Sequence, residues 1–417
     1  METLGTRIRK IRKERKLTLA ELAGDRLTKG MLSLIENDKA NPSMDSLAYI
    51  VEQLGIEVSE LLEEVSASEL RELLEKVKSI KVTKLLETID PQLERLQMIE
   101  PYIDRLPVSY EAGQLLVLYA EAKYDVEKTH WEEPLNRAIN TFKKMNLMND
   151  WLRAYILKSS TEFINHNYEE SLNILLAAKK EMELNHYVID ELPNLDLLYM
   201  IAVEYFAIGM DEEGFGVMNE AIKLSKEARI FYRIDDLYRL AAFKEMMNDN
   251  EQDVQYYLKK LSQYADFTDD VTAKGFILFA KAHYYNSFLK DYEKGNEFAE
   301  QFYEFDAGEA TKTMAFYYIE KGKSLFGMKR YTEALEAFEA FELIDGFPNY
   351  FHHPYDLSIQ NELYAYKALC YEQQGQLAKA LEEAKIGVDL VEYFIDTPYK
   401  QFIYDTYEKL KKKADGR

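Results

Sequence analysis

The sequence predicts an all-α protein that joins a small N-terminal module to a long helical body. Glycine (17) and proline (9) are scarce for a chain of 417 residues, which disfavours a β fold with many turns. With 47% apolar residues, the chain has enough hydrophobic side chains to bury a sizeable core. Similar helical segments recur in the body at intervals of 39 to 46 residues. These observations predict helices joined by short loops.

The N-terminal module differs from the body in charge. Residues 1–41 contain ten basic and six acidic side chains, a net charge of +4, whereas the whole chain carries −22 and the remaining 376 residues therefore carry −26. Such an acidic body disfavours nucleic-acid binding, so any DNA-binding role is expected in the module. On charge alone, a solvated basic helix explains the module equally well.

Helix caps and apolar spacing predict short helices at the N-terminus. Leu4, Ile8 and Ile11 follow the i, i+4, i+7 pattern of one helix face, and basic residues occupy the other face. A capping hydroxyl precedes each of the next three helices: Thr18, Thr28 and Ser43. A fifth helix is expected around residues 59–62. With a tight turn at residues 24–26, this is the layout of a helix-turn-helix domain, which we assign to residues 1–65.

The stretch from Leu17, LTLAELAGDRLTKGMLSLIENDKANPSMDSLAYIVEQLGIEVSELL, resembles the repressor-type (Xre, lambda-repressor-like) helix-turn-helix family. The resemblance covers only the N-terminal module, but it rests on many spaced positions. These are Thr18, Glu21, Leu22, Ala23, Thr28, Lys29, Leu32, Ser33, Ile35, Glu36, Asn41, Pro42, Ser43, Leu47, Leu54 and Gly55.

The resemblance implies that the helix beginning after Thr28 lies in the major groove of double-stranded DNA. Lys29 would then reach a guanine edge or a phosphate, and Met31 a thymine methyl group. The residues implied to face the bases are Thr28, Lys29, Gly30, Met31 and Ser33. Those implied to contact phosphates are Arg12, Lys16, Asn41 and Ser43, and Thr18 completes the DNA-binding set.

Two positions depart from the family pattern. Leu19 stands where the family usually has glutamine, which is expected to remove a phosphate contact. Asp38 stands where glycine is common, and is expected to add a negative charge near the DNA. Both departures leave the operator sequence open.

The body is predicted to consist of a linker and repeats. Residues 66–107 are charged and helical in pattern, with Pro91 opening a new segment, and are expected to form a linker helix region. Beyond residue 108, one small residue marks the second helix of each unit. These residues are Ser171, Gly214, Gly295, Ala334 and Ala380, with a weaker unit near Asp253.

The clearest unit, YYIEKGKSLFGMKRYTEALEAFEAF, resembles a tetratricopeptide repeat. Gly322, Leu325, Tyr331, Ala334 and Phe338 occupy the small and large packing positions of such a repeat. The resemblance implies that residues 108–417 form a right-handed superhelix of roughly six to eight helical hairpins. Most tyrosine and phenylalanine residues are expected to pack between repeats, and the rest to line a groove for extended peptides.

No catalytic or metal-binding motif is found in the sequence. It lacks a glycine-rich phosphate loop, and the six histidines show no metal-ligand spacing. The adjacent pair His352 and His353 is expected in a surface loop, and the single Cys370 as a buried thiol. No apolar run reaches the roughly 18 to 20 residues of a membrane span. We therefore predict a cytoplasmic protein that is not an enzyme and needs no cofactor or metal.

The combination of a repressor-type module with irregular tetratricopeptide repeats resembles the RRNPP group of peptide-pheromone regulators, and most closely its NprR-type and PlcR-type members. The resemblance implies a quorum-sensing transcription regulator that binds a short signalling peptide in its repeat groove. Peptide binding would change the pairing of protomers in a homodimer or higher oligomer, and with it DNA binding.

The groove residues are predicted from the first helices of the repeats, because these helices face the concave side in tetratricopeptide proteins. Amides would clamp a peptide backbone, and cations would bind a carboxylate. The candidates are Arg153, Asn165, Tyr199, Tyr284, Asn286 and Lys323, although ordinary surface or packing roles explain each of them equally well. An alternative function is a scaffold whose repeats sequester a protein partner such as a sporulation-pathway response regulator.

Overall fold

The computed structural model describes residues 3–56, 58, 61, 65–80, 90–306, 313–342 and 352–416. Every regular element in these residues is helical, as predicted. The chain divides into two compact units, Met1–Ala154 and Tyr155–Arg417. The sequence boundaries at residues 65/66 and 107/108 remain predictions, and neither coincides with this division.

The first unit begins with the four predicted short helices, whose capping hydroxyls bind as expected. Thr18, Thr28 and Ser43 each accept a hydrogen bond from the backbone N–H three residues later. The helices are α1 (Leu4–Glu14), α2 (Leu19–Ala23), α3 (Lys29–Glu36) and α4 (Met44–Leu54). The fifth helix predicted around residues 59–62 lies outside the described residues, apart from Leu61.

The four short helices enclose a hydrophobic core of their own. Ile8, Leu22, Leu32 and Ile50 are fully buried at its centre. Gly5 lets α1 approach α3 closely, since a Cβ atom at this position would lie 2.0 Å from the carbonyl oxygen of Ile35. The apolar spacing found in the sequence is therefore the core face of each helix.

The rest of the first unit consists of longer helices. They are α5 (Ala67–Ser79), α6 (Pro91–Ile99), the 3₁₀ helix Glu100–Arg105, α7 (Tyr110–Glu127), α8 (Glu132–Lys144) and the start of α9 (Met148–Ile164). A second core joins α5 and α6 to α7 through Leu70, Val77, Ile99 and Leu115. The region predicted as a linker is thus packed against the helix that follows it.

The second unit continues as successive helical hairpins. Its remaining helices are α10 (Tyr168–Leu184), α11 (Glu191–Ala207), α12 (Asp211–Ala228), α13 (Ile234–Met247), α14 (Glu251–Thr268), α15 (Val271–Tyr284), the π-helical turn Tyr285–Leu289, α16 (Tyr292–Asp306), α17 (Thr313–Gly327), α18 (Tyr331–Glu342), α19 (Pro354–Gln373), α20 (Leu377–Val391) and α21 (Pro398–Ala414). Helices α11 to α20 pair as antiparallel neighbours in sequence order, which is a helical-repeat superhelix.

Small residues set the spacing within these hairpins, as the repeat pattern predicts. A Cβ atom at Gly322 would lie 2.3 Å from the ring of Phe338, and one at Gly214 would lie 2.8 Å from the ring of Phe206. Ala334 is fully buried in the same contact layer. In these two hairpins the missing side chain of the glycine leaves room for the aromatic ring of the partner helix.

Candidate functional site

The surface predicted to face DNA is formed by the N-terminal end of α3. Thr28 caps this helix, with its Oγ1 accepting a hydrogen bond from the Met31 N–H at 3.1 Å. Lys29 and Gly30 are exposed, Met31 is 49% exposed, and Ser33 is half-buried. The N-terminal end of the helix therefore exposes the Lys29 cation, the backbone at Gly30 and the apolar side chain of Met31.

Four further residues assigned to DNA contact lie exposed in the loops beside the helix starts. They are Lys16, Thr18, Asn41 and Ser43. Thr18 forms a capping box with Glu21, and the Ser43 Oγ accepts a hydrogen bond from the Ser46 N–H at 3.2 Å. Their hydroxyls are thus fixed in place, and each can still donate to a phosphate oxygen.

Arg12 has a different place from the one predicted. Its guanidinium group is buried and donates to both carboxylate oxygens of Glu36, at 2.6 and 2.8 Å. A third bond reaches the Leu17 carbonyl oxygen at 2.8 Å. Because these bonds hold the guanidinium group inside the domain, Arg12 forms a structural ion pair between α1 and α3 in place of the phosphate contact predicted from the sequence.

The backbone at position 38 explains why aspartate can replace the glycine that is common in the family. Its backbone has a φ of 55°, a left-handed conformation in which glycine is favoured and aspartate is tolerated. One carboxylate oxygen accepts a hydrogen bond from the Gly5 N–H at 3.1 Å, and the other accepts one from the Thr3 hydroxyl. The negative charge is therefore held at the positive N-terminal end of α1.

Three of the residues predicted to bind peptide are instead buried within the repeats. Tyr284 is 3% exposed, and Asn286 and Lys323 are inaccessible to solvent. The Asn286 amide donates to the Glu320 carboxylate at 3.0 Å, and the Lys323 ammonium donates to Glu362 at 2.6 Å. We correct these assignments, because the partners of Asn286 and Lys323 are protein groups and the Tyr284 ring lies in a hydrophobic cluster.

Lys323 lies at the centre of a buried polar network that joins several repeats. It also donates to Glu320 at 3.1 Å, and Glu320 in turn lies 2.8 Å from His283 Nδ1. The other ring nitrogen of His283 lies 2.9 Å from the Tyr399 hydroxyl. Burial alone would raise the pKa of Glu320, but Lys323 and His283 hold it at about 2. The network thus pairs its buried charged groups with one another inside the repeats.

The remaining predicted peptide residues fall in different places. Arg153 is exposed on α9, 3.9 Å from Asp150, and Asn165 is exposed just after the end of the same helix. Tyr199, on α11, lines a cavity of about 770 Å³ that lies wholly within the second unit. Of the six predicted residues, Tyr199 alone lines this cavity.

The cavity has a largely aromatic wall. Most of its lining comes from the first helix of successive hairpins, which is the orientation expected for a repeat groove. Gly275 leaves part of the wall open, because a Cβ atom there would meet only Phe302 and Phe305, at 3.5 Å or more. The aromatic lining residues are Phe163, Tyr199, Phe243, Phe276, Phe279, Phe302, Phe305, Phe316 and Tyr355. A volume of this size lies within the range of about 300–1,000 Å³ found for ligand sites.

Three charged side chains line the same cavity. Asp236 and Arg239 belong to an ion-pair cluster on α13: Asp236 accepts from Arg233 at 2.9 Å, and Arg239 pairs with Asp235 at 3.0 Å. The third group is Asp356, in the first turn of α19. Burial raises the pKa of the Asp356 carboxyl group to about 7.

The two histidines that precede α19 do not lie in an ordinary surface loop. Both His352 and His353 line the cavity, and His353 is 8% exposed, so the surface interpretation is wrong for this residue. His353 caps α19 by accepting a hydrogen bond from the Tyr355 N–H at 3.1 Å, and its other nitrogen lies 3.3 Å from the Val203 carbonyl oxygen. Burial lowers the pKa of His353 to about 4, which keeps the ring neutral near pH 7.

Sequence reasoning missed most of this cavity because its residues come from helices far apart in the chain. One local signal was present in VTAKGFILF, the start of α15, where the four consecutive apolar residues 276–279 lie all around the helix. Among the residues with described coordinates, no group of three or more His, Cys, Asp or Glu side chains could hold a metal ion. No described helix is long and apolar enough to cross a membrane.

Comparison with known proteins identifies the N-terminal domain. Residues 5–66 match the family described as a helix-turn-helix domain. The same region is 46% identical over 63 residues to the immunity repressor protein of Bacillus phage phi105, a match that covers 15% of this chain and 44% of the repressor. The chain thus spans less than half the length of this curated relative.

Two solved structures are similar over longer stretches. PlcR of Bacillus thuringiensis, in complex with the peptide PapR7 and DNA, is 20% identical, and the match covers 66% of this chain and 99% of PlcR with a TM-score of 0.36. A tetratricopeptide repeat protein from Parabacteroides merdae is 10% identical, and the match covers 77% of this chain and 98% of that protein with a TM-score of 0.46. The family match over residues 5–66 and the successive helical hairpins of the second unit confirm the organisation expected from the sequence, a helix-turn-helix domain followed by helical repeats.

Proposed function

We propose that this chain is a transcription regulator whose DNA binding is controlled by a short signalling peptide bound in the second unit. The observation that carries the proposal is the presence on one chain of an exposed helix-turn-helix recognition end and an aromatic cavity of about 770 Å³. The cavity offers what an apolar peptide needs: ring faces for its side chains and a few polar groups for orientation.

Control would operate through the pairing of two protomers. A single domain offers one long cation, Lys29, at the start of its recognition helix, so its own affinity for DNA is expected to be modest. Two domains held at the right spacing would bind two half-sites together. A peptide that binds one pairing arrangement more tightly than another shifts the population between them, and so changes DNA affinity.

The DNA-binding part of the proposal is tested by selecting binding sequences from random double-stranded DNA with the full chain. We expect a selected sequence to bind more tightly than its shuffled version, with affinity falling as salt rises. Lys29→Ala should reduce the slope of log K against log salt by about 1 if Lys29 contacts a phosphate, or relax preference at one base pair if it contacts a base.

Lys412→Ala, an equal charge change at an exposed position of α21, is the matched control and should leave both quantities unchanged. Failure to enrich any sequence, with or without a peptide fraction from culture medium, would contradict the proposal. If the isolated chain instead retained a protein partner in pull-down experiments and bound no DNA, the sequestration function would replace it.

A further inference from the structure

Among the described residues that line the cavity, one carboxylate has no counter-ion. Asp236 lies between Arg233 and Arg239, whose guanidinium groups are 2.9 and 3.9 Å from its oxygens. Arg239 is in turn held by Asp235. The two aspartates and two arginines of this cluster carry no net charge together.

Asp356 is the exception. It lies in the first turn of α19 and lines the cavity, and the described residues of the second unit place no cation within ion-pair distance of its carboxylate. The neighbouring groups on its own segment are His353, held neutral by burial, and Tyr355. A carboxylate in an apolar wall is costly to ionise unless a cation comes to it.

The surrounding wall favours the same kind of ligand. Phe276, Phe279 and Tyr199 line the same cavity as the acidic groups, and aromatic rings attract cations as well as apolar side chains. Arg239 already stacks on Phe276, with its guanidinium carbon 4.9 Å from the ring centroid. The one arginine or lysine in the described lining, Arg239, is already paired with Asp235 and Asp236.

We propose that the cavity selects a short apolar peptide that carries a positive charge, and that Asp356 is the counter-ion of this charge. The cation is an ammonium or guanidinium group, supplied by the peptide N-terminus or by a lysine or arginine side chain. This inference rests on the proposed function, since it names the chemistry of the peptide that the cavity would bind.

The ionisation of Asp356 gives the proposal a second readout. With the Asp356 pKa at about 7 in the unliganded chain, a cationic peptide must displace a proton at lower pH, so its affinity should rise between pH 6 and pH 8. Tyr199 on α11 and Tyr399 on α21 interact electrostatically with Asp356. The other titratable or charged groups in the described lining are His352, His353 and Tyr355 on its own segment, and Asp236 and Arg239 on α13. His352→Gln separates its own titration from that of Asp356.

The test uses synthetic pentapeptide mixtures with four positions drawn from Leu, Ile, Val, Phe and Pro and one position fixed as lysine, norleucine or glutamate. Each mixture is made with a free and with an acetylated N-terminus, and all are amidated at the C-terminus. Affinity for the full chain is measured by competition and read by mass spectrometry. We expect the peptides with lysine or a free N-terminus to bind at least tenfold more tightly at pH 7 than the acetylated norleucine peptides. The acetylated lysine peptides, whose ammonium group stays charged, should gain affinity as pH rises from 6 to 8.

Asp356→Asn should remove the preference for cationic peptides and the pH dependence, while retaining affinity for the acetylated norleucine peptides, which shows that the cavity is intact. Asp396→Asn, which removes one negative charge from a fully exposed side chain in the same unit, is the matched control and should keep both properties. Equal binding of all mixtures, or a preference for glutamate, would overturn the inference and leave the proposed function standing. Binding of none would overturn the proposed function and this inference with it.

Discussion

At the scale of single residues, Arg12 shows how burial decides the role of a charged side chain. It lies in a basic stretch on the first helix, where a phosphate contact is the natural expectation. Its guanidinium group instead forms two bonds with Glu36 inside the domain. The pair fixes α1 against α3, and thereby the orientation of the recognition helix.

Arg12→Ala is therefore expected to act through stability. Removing one partner of a buried pair leaves Glu36 uncompensated, and the free energy of unfolding of the N-terminal domain should fall by about 3–5 kcal/mol. Lys13→Ala, at the next and exposed position of the same helix, should change it by less than about 0.5 kcal/mol. Urea unfolding monitored by circular dichroism measures both.

A double variant separates the two roles of Arg12. In Arg12→Met with Glu36→Leu, the apolar pair should recover most of the lost stability. If DNA affinity recovers with stability, Arg12 acts on structure alone. If the double variant is as stable as the wild type but binds DNA tenfold more weakly, a direct phosphate contact is restored as the explanation.

At the scale of elements, the network around Lys323 joins helices α15, α17, α19 and α21. Lys323 lies between Glu320 and Glu362, and burial alone would lower its pKa, but the two carboxylates raise it. The network is inaccessible to solvent at its centre, so it depends on every partner being present.

Lys323→Met should lower the thermal midpoint of the second unit, because it leaves Glu362 buried without its cation and Glu320 with His283 and Asn286 as partners, at a cost of about 3–5 kcal/mol. Lys321→Met, on the same helix but partly exposed, should cost less than about 1 kcal/mol.

The stability given by this network should depend on pH. Since the folded-state pKa of Glu320 is lowered to about 2, the contribution of Glu320 to stability is present above its unfolded pKa and is lost as pH falls toward 2. The stability difference between wild type and Lys323→Met should therefore shrink below pH 4.5. A difference that is constant from pH 7 to pH 3 would contradict this account.

The elements themselves were largely predictable from sequence, whereas the sites were predictable only in part. Helix starts depend on local capping chemistry. Thr18, Thr28 and Ser43 could be recognised as caps because each binds a backbone N–H only three residues later. Repeat packing is also local, so Gly322 and Phe338 could be paired from spacing. Burial of Asn286 and Lys323 depends on partners from 34 to 39 residues away, which spacing within one helix cannot reveal.

The cavity is the element-level feature least accessible to sequence reasoning. Its wall combines helices from residue 163 to residue 359, and the volume exists because rings at their crossing points do not fill it. Composition gave only the general expectation that some aromatic residues would line a groove. Tyr199 could be predicted because it lies on the first helix of a hairpin. Arg239 and Phe276 also lie on first helices, which brings them to the cavity wall.

At the scale of the whole molecule, the two functions proposed here belong to different compact units of one chain. Coupling between them requires that a ligand in the second unit change the affinity of the first for DNA, and a typical allosteric coupling amounts to about 1–3 kcal/mol. This coupling is the central claim, and a variant that closes the cavity without touching the helix-turn-helix domain isolates it.

Gly275→Leu provides that variant, because a side chain at this position extends toward the cavity without a close backbone contact. Gly216→Leu, at an exposed helical glycine with open space around it, is the matched control. The measurement is the affinity of the full chain for its selected DNA sequence, with and without the tightest-binding peptide mixture. We predict that the peptide changes DNA affinity at least tenfold in the wild type and in Gly216→Leu, and that the change is absent in Gly275→Leu. An equal response in Gly275→Leu, or no response in the wild type, would contradict control of DNA binding through this cavity.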